Sequence, residues 1–449
     1  MHDPSSAEAE LARFAADLQI GDIPGPVLDE AKRSLVNIFA TALAGSREPA
    51  VEVAVRTLLP FSSRAEASLA GRSERVDAPT AAFVNAMGAN VFDFDDTHEA
   101  TIIHPAATVF ASLFAHAETA RLTGAQVLKG FVIGGEIECR IGNALTPYHY
   151  ARGWHITSTC GVFGAAAGTG SLLGLSGEEM LEAFSAAAVQ SSGLVEGLGT
   201  MAKSISVGGA ARNGLLSALL ARDGLTGPAA PLTGERGYLK VYADDPSPTA
   251  LTDGLGSEWE IARNTYKPYP VGVVLNPVID ACLLLREEDG LKLEDIEAME
   301  VTGHPLLRQR TDRAEVDTGR ATQVSAQHAI AIVLLRGRAG LAEFSDEAAA
   351  ETLKAGRPKL AFHDEPGRDI ASIDLLVRTR DGRELKREIR AALGSARNPL
   401  SNAQLEAKLA DAARLVGFAR DTRRLAEAIW NIDTAEDAGE IMRLAALAS

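Results

Sequence analysis

The chain is short of cysteine, of positive charge and of long uninterrupted apolar runs, and each shortage closes off a class of protein. Only three cysteines occur in 449 residues, Cys139, Cys160 and Cys282, widely separated and each in an apolar stretch. An odd, scattered set predicts buried free thiols and no disulfide framework. There is no CxxC and no Cys/His pair at zinc spacing. Lysine and arginine number 44 against 60 aspartates and glutamates, a formal charge of −16. Nucleic-acid binders usually show a basic excess or stripe, so no nucleic-acid partner is expected. A small anionic substrate stays open, because a few buried cations can dominate one pocket of an acidic protein. A membrane span needs roughly 20 apolar residues. The runs at Ala329–Leu335 and Val271–Leu285 fall short: His328 and Arg336 bound the first, and Asn276 and Asp280 interrupt the second. The first ten residues, MHDPSSAEAE, are polar and acidic, unlike a secretory or transit peptide. A cytoplasmic protein with no membrane partner is the expectation.

What is present is an ordinary globular composition, 46% hydrophobic and 23% charged, long enough for two or three domains. Residues 6–225 read as successive helices rich in Ala, Leu and Gly. Capping boxes open two of them, Thr123 to Gln126 and Ser176 to Glu179. Small residues crowd 158–174 and 205–222, which predicts a tight central helical layer. After Gly254 the texture changes. Ile296–Val301 alternates, and Ile373–Thr379, Asp381-Gly382 and Arg383–Ile389 read as a hairpin around a type I′ turn. Ser325–Leu335 reads as a helix buried on most faces, and helical patterning restarts near Ser401. The fold class is therefore mainly α: helical residues 1–265, a smaller α+β domain at 266–399, and a helical segment at 400–449.

Four clusters could carry chemistry. The densest is Phe92-Asp93-Phe94-Asp95-Asp96-Thr97-His98 followed by His104-Pro105. If the preceding helix persists, Asp93 and Thr97 share a face at i,i+4. Pro105 suits the first turn of the next helix and leaves His104 beside its free amide end. This cluster reads as a cap-and-turn network, as a divalent metal site, or as carboxylate–histidine acid/base partners. The second, Tyr148 to Ser158, carries Arg152, His155 and Thr157; it is either a carboxylate cradle or an aromatic loop packed between helices. The third, Gly197-Leu-Gly-Thr-Met-Ala-Lys203-Ser204, nearly spells a phosphate-binding loop. Ala202 replaces its second glycine and no strand precedes it, so nucleotide binding is rejected. The fourth is Lys267-Pro-Tyr269-Pro270, at the proposed boundary. Arg152, Lys203 and Lys267 can hold carboxylates; Asp93, His104 and His155 can move protons. That set suits proton abstraction beside a carboxylate, followed by elimination, decarboxylation or reprotonation.

On these residues the chain resembles the MmgE/PrpD family, which includes 2-methylcitrate dehydratase, cis-aconitate decarboxylase and iminodisuccinate epimerase. The runs NAMGANVFDFDDTHEATIIHP, GWHITSTCGVFGAAAGTGSLLGL and GTMAKSISVGGAARNGLLSALLARDGLTGP carry the likeness, and KPYP and RNPLSNAQLEAKL extend it to about residues 6–420. The resemblance implies a large all-α domain built from both chain ends (1–265 with 400–449), an α+β lid at 266–399, and a site between the two. It further implies a homodimer, no metal and no organic cofactor. Carried over by position, it makes Asp93, Thr97, His104, His155, Lys203 and Lys267 pocket residues; Arg152 is added on charge alone. The family's two histidines five and nine residues after the motif lysine are here Gly272 and Asn276. Asn276 can orient a carboxylate or water but cannot exchange a proton near neutral pH, which bears against cis-aconitate decarboxylation.

The leading expectation is a cofactor-independent, dehydratase-type lyase acting on a small di- or tricarboxylate. Lys203, Lys267 and Arg152 would anchor carboxylates, His155 or Asp93 would remove the α-proton, and His104 would protonate the leaving hydroxyl. The alternatives are a dicarboxylate epimerase, a cis-aconitate-type decarboxylase, a metal-dependent hydrolase using Asp93, Asp95, Asp96, His98 and His104, and a non-catalytic binding protein.

Overall fold

A computed structural model of the chain describes residues 3 and 5–447. Residues 1, 2 and 4 of the polar N-terminal stretch, and 448–449, lie outside the described residues. The chain divides into two compact units, Met1–Asn264 with Asn402–Ser449, and Thr265–Ser401. Among the described residues, nineteen α-helices and only small sheets make the fold mainly α with a smaller α+β portion.

In the first unit, helices α1 (Gly25–Gly45), α2 (Ala78–Asn90), α3 (Pro105–Ala120), α4 (Gly124–Leu145), α5 (Ile156–Leu173) and α6 (Ala202–Arg222) enclose the core. The capping boxes at Thr123 and Ser176 form as expected. Helix α5 packs against α3, α4 and α6. By length and apolarity α5 could cross a bilayer, a run the sequence reading passed over, yet 94% of it is buried inside the fold. Small residues make that burial possible. A Cβ at Gly164 would collide with Glu138 Oε2 and come within 2.9 Å of Gly134 O, so α4 and α5 pack at this distance only with glycine there. Phe39 of α1 packs edge-on against Phe110 and Phe114 of α3, with centroids 4.8 and 5.2 Å away. Cys139, Cys160 and Cys282 are buried free thiols.

Helix α9 (Asn402–Leu415), the restart near Ser401, packs on α1. Its Lys408 is buried, donating to Asn37 Oδ1 at 2.7 Å and to Phe94 O at 2.6 Å, with its ammonium 3.6 Å from the Phe94 ring centroid. A buried charge of this kind persists only when so partnered.

In the second unit, β1 (Ile296–Gly303), β2 (Leu360–Asp364), β3 (Ile373–Thr379) and β4 (Glu384–Ile389) form a sheet ordered β2-β1-β3-β4. β1 and β2 run parallel and the other pairs antiparallel. Alternation along β3 buries Ile373, Leu375 and Val377 and exposes Asp374 and Arg378. The buried residues of α7 (Asn276–Asp289) and α8 (Ala326–Arg336) share this core. The β3–β4 turn is not type I′. That type needs positive φ at both central residues, and Gly382 (φ 87°) has it while Asp381 does not. Thr379 N donates to Arg383 O and Gly382 N to Thr379 O, closing a loop one residue longer.

Candidate functional site

Three helix starts of the first unit carry the principal polar side chains. His104 is the N-cap of α3 and His155 the N-cap of α5, while Lys203 lies in the first turn of α6. An imidazole at an N-cap is a poor substitute for Ser or Asp, so the helix ends are satisfied from elsewhere. The Asp96 carboxylate accepts from Ala106 N of α3 at 3.1 Å, and also from Asn264 Nδ2 at 2.6 Å and Ser34 Oγ at 3.3 Å. Burial, together with the neighbouring Asp95, pushes Asp96 up to about 6.

The chain between α2 and α3 does not continue as helix. α2 ends at Asn90, Asp93 adopts φ 54°, and Asp96–His98 is extended. Asp93 and Thr97 therefore do not share a helix face at i,i+4. In the extended stretch Asp96 and His98 are buried and Thr97 between them is half-buried. The positive φ turns Asp93 toward His104 and Lys203: its Oδ1 lies 3.3 Å from His104 Nε2 and 3.0 Å from Lys203 Nζ. The other ring nitrogen, His104 Nδ1, faces Asp95 Oδ1 at 3.1 Å and donates to Asp96 O. Asp95 is itself fixed by Asn90 Nδ2 at 2.7 Å. Acceptors thus meet both ring nitrogens of His104, and only an imidazolium can donate to both sides.

His155 has the opposite character. Burial, with Lys203 and His104 beside it, holds its imidazole down to about 3, so it is neutral at physiological pH and keeps a lone pair for a proton. A histidine with acceptors on both sides and a neutral histidine stand with a buried ammonium, Lys203, whose side chain is 5% exposed. The arrangement can bind an anion and transfer protons on it.

Donor atoms of Asp93, Asp95 and His104 lie within 4.8 Å of one another and could hold a cation. The five-residue metal set considered from sequence does not assemble. Asp96 is spent on α3 and Asn264, and His98 on Thr101 (2.8 Å) and Glu260 (2.9 Å). Lys203 also delivers its own positive charge to Asp93, where a metal would bind.

Arg152 is not among these residues. Its side chain is 49% exposed and pairs with Asp244 at 2.9 Å. Three residues earlier His149 turns inward, donating from Nδ1 to Tyr242 O at 3.0 Å and accepting from Thr159 Oγ1 at 2.6 Å. Trp154 and Tyr242 pack beside it as a tilted pair with ring centroids 4.6 Å apart. The segment packs as an aromatic loop, and Arg152 stays on the surface, where its guanidinium pairs with Asp244. Lys267 and Asn276 belong to the second unit, where both are buried. Asn276 opens α7, and at Gly272 nothing stands within 4 Å of the position a Cβ would take.

The sequence reading passed over Asp95 as a partner of His104, and Asn264 and Ser206 altogether. Asp95 had a signal, being the central acid of the FDFDD run. Asn264 pairs with Asp96 across 168 positions and Ser206 with His155 across 51, separations that carry no local pattern.

Comparison with known proteins gives the family. The MmgE/PrpD N-terminal domain matches residues 9–251 and the MmgE/PrpD C-terminal domain residues 269–434. A cis-aconitate decarboxylase of Aspergillus terreus is 31% identical over 291 residues, 61% of this chain and 59% of that protein. A cis-aconitate decarboxylase-like protein (oryM) of Aspergillus oryzae is 32% identical over 271 residues, 56% of each. These matches span less than two thirds of the fungal proteins. The human cis-aconitate decarboxylase is 26% identical over 447 residues, 95% of this chain and 92% of that protein. With both domains matched in order along most of its length, the chain belongs to the MmgE/PrpD family.

Proposed function

We propose that this protein is a cofactor-independent lyase of the dehydratase type, acting on a small tricarboxylate by proton abstraction next to a carboxylate. The observation that carries the reading is the pairing of a neutral buried His155 with a His104 flanked by Asp93 and Asp95, beside Lys203. Lys203 anchors a substrate carboxylate. His155 takes the proton from the carbon next to a carboxylate; the electron pair left behind spreads into that carboxylate as an enediolate-like dianion. A fixed ammonium in a water-poor site stabilises such a species far more than bulk water does. His104 then gives a proton to the hydroxyl on the adjacent carbon, which leaves as water while the carbon–carbon double bond forms. Thr97 orients the substrate by a hydrogen bond. Once water has left, His155 releases its proton to solvent, and His104, held between Asp93 and Asp95, takes one back from solvent.

A second reading, decarboxylation of cis-aconitate, is favoured by the names of the fungal and human relatives; Gly272 and Asn276 stand against it. Proton NMR in D2O with citrate, 2-methylcitrate and cis-aconitate separates the two. The proposal expects loss or addition of water with deuterium entering next to a carboxylate. Release of carbon dioxide from cis-aconitate would establish the second reading, and no change in any of the three would overturn both.

A homodimer is proposed with this activity. Val189, Leu194, Met201 and Ile205 expose large apolar side chains along one stretch of chain, the kind of surface that a partner covers. Light scattering should give twice the chain mass of 47.2 kDa; a monomer at micromolar concentration would refute it.

A further inference from the structure

The environment of His155 determines which of its nitrogens holds the proton. Its Nδ1 faces two hydroxyls, Ser206 Oγ at 3.2 Å and Ser158 Oγ at 3.3 Å. Each hydroxyl has a single proton, and each lies closer to a backbone carbonyl than to the ring. Ser206 Oγ donates to Lys203 O at 2.8 Å, and Ser158 Oγ donates to His155 O at 2.9 Å. A carbonyl oxygen can only accept. With both hydroxyl protons committed, Nδ1 must be the donor. One N–H shared between two oxygens makes a three-centre bond, which accounts for both distances being long. In a neutral imidazole the other nitrogen, Nε2, then carries the lone pair.

The surroundings hold this arrangement in place. The main-chain N–H of His155 donates to Gly193 O at 3.1 Å. Gly193 adopts φ 141°, and a Cβ there would collide with Ser158 Oγ. Any side chain at 193 would displace one of the two acceptors. The charged groups acting on the ring are Lys203, His104, Asp93 and Asp95.

We propose that Ser158 and Ser206 are positioning residues that lock His155 in the Nδ1–H tautomer, so that Nε2 is the atom that takes the substrate's proton. The tautomer stands on the hydrogen-bond geometry alone; the role of Nε2 rests on the function proposed above. In that step the carbon–hydrogen bond breaks, the proton goes to Nε2 and the electron pair stays on the substrate. The imidazolium that forms keeps donating from Nδ1 to the same two oxygens, so no hydroxyl has to turn. The serines therefore act on the chemical step and not on binding.

Nitrogen-15 NMR of the full chain labelled at histidine tests the lock without a substrate, with the His155 signals identified by their loss in His155→Gln. The expected pattern is a pyrrole-type Nδ1 and a pyridine-type Nε2. In Ser158→Ala/Ser206→Ala the pattern should become mixed or reversed, and Ser158→Ala/Ser206→Thr, which keeps one hydroxyl, should restore it. On the substrate found by the deuterium screen, the double alanine variant should lose about 10²-fold in kcat, the scale of a lost general base, with KM within about two-fold. The threonine variant should recover most of that loss. A reversed tautomer in the unaltered protein, or an unchanged one in the double alanine variant, would overturn the lock. A confirmed tautomer with full turnover in His155→Gln would instead leave the lock standing and remove Nε2 as the base.

Discussion

Asp93 Oδ1 accepts from two sides at once, from Lys203 at 3.0 Å and toward His104 at 3.3 Å. That shared oxygen makes the carboxylate, the ammonium and the imidazole one unit: removing the ammonium takes one partner from Asp93 and with it the charge that meets the substrate's carboxylate. Lys203→Ala should therefore lower kcat by about 10²–10³-fold, the scale on which a fixed electrostatic partner acts, while the fold stays intact because the side chain is not part of a hydrophobic layer. Turnover in the D2O assay and an unchanged circular dichroism spectrum check this together. Arg152→Ala should change turnover by less than about two-fold, since an exposed pair such as Arg152–Asp244 contributes little to anything beyond itself. A large loss on Arg152→Ala would return that residue to the site. The sequence reading put Arg152 and Lys203 in one class because both are cations near conspicuous motifs. Only the direction in which a side chain leaves the backbone separates them, and on the short helix Tyr148–Ala151 it is His149 that points inward.

At the scale of elements, the site loop is held by a helix from the far end of the chain. Lys408 of α9 donates to Phe94 O and Asn37 Oδ1 and lies over the Phe94 ring, so it clamps the residue between Asp93 and Asp95. Lys408→Met fills similar space but leaves two buried acceptors without that donor. The expected cost is about 1–3 kcal/mol, read as a lowered urea midpoint, together with a fall in kcat as Asp93 and Asp95 lose their fixed spacing. A variant as stable and active as the parent would show that the clamp is incidental. Much at this scale was legible beforehand. Pro105, Thr123 and Ser176 announce helix starts by local chemistry that does not depend on the rest of the fold, and the small-residue runs announced the close packing of α5 and α6. The loop from Val91 to Asp96 was not legible. A non-glycine residue at positive φ is uncommon, and Asp93 is held at 54° by partners 11 and 110 residues away. The turn at Asp381-Gly382 failed for a smaller reason, since the dipeptide marks a turn without fixing the number of residues in it.

At the scale of the molecule, the charge of −16 and the buried histidines make opposite demands as the solution is acidified. His149, His155 and His328 are held down by burial, to about 4, 3 and 4, while an unfolded histidine titrates near 6.5. Between those values the unfolded chain binds a proton that the folded chain excludes, so each of these residues favours unfolding progressively as pH falls. Buried carboxyls act the other way. Asp96 is pushed up to about 6 and Glu138 well above the usual range, both chiefly by burial, so the folded chain holds protons there that the unfolded chain has released, and acidification favours the fold. The two sets partly cancel, and the stability of the whole protein against pH does not isolate either. A difference between two proteins does. His149 sits apart from the acid/base residues, bonded to Tyr242 O and Thr159 Oγ1, and His149→Gln removes one titrating group while leaving an amide that can still donate and accept. The variant will be less stable than the parent at pH 7.5, where the imidazole is neutral in both states. As pH falls from about 6.5 to 4 the parent should lose stability relative to the variant by about 1.4 kcal/mol per pH unit, narrowing and then reversing the gap. Urea denaturation of both proteins at half-unit steps measures it. A constant difference across that range would mean that His149 takes up its proton in the folded state, and that burial does not hold the ring neutral.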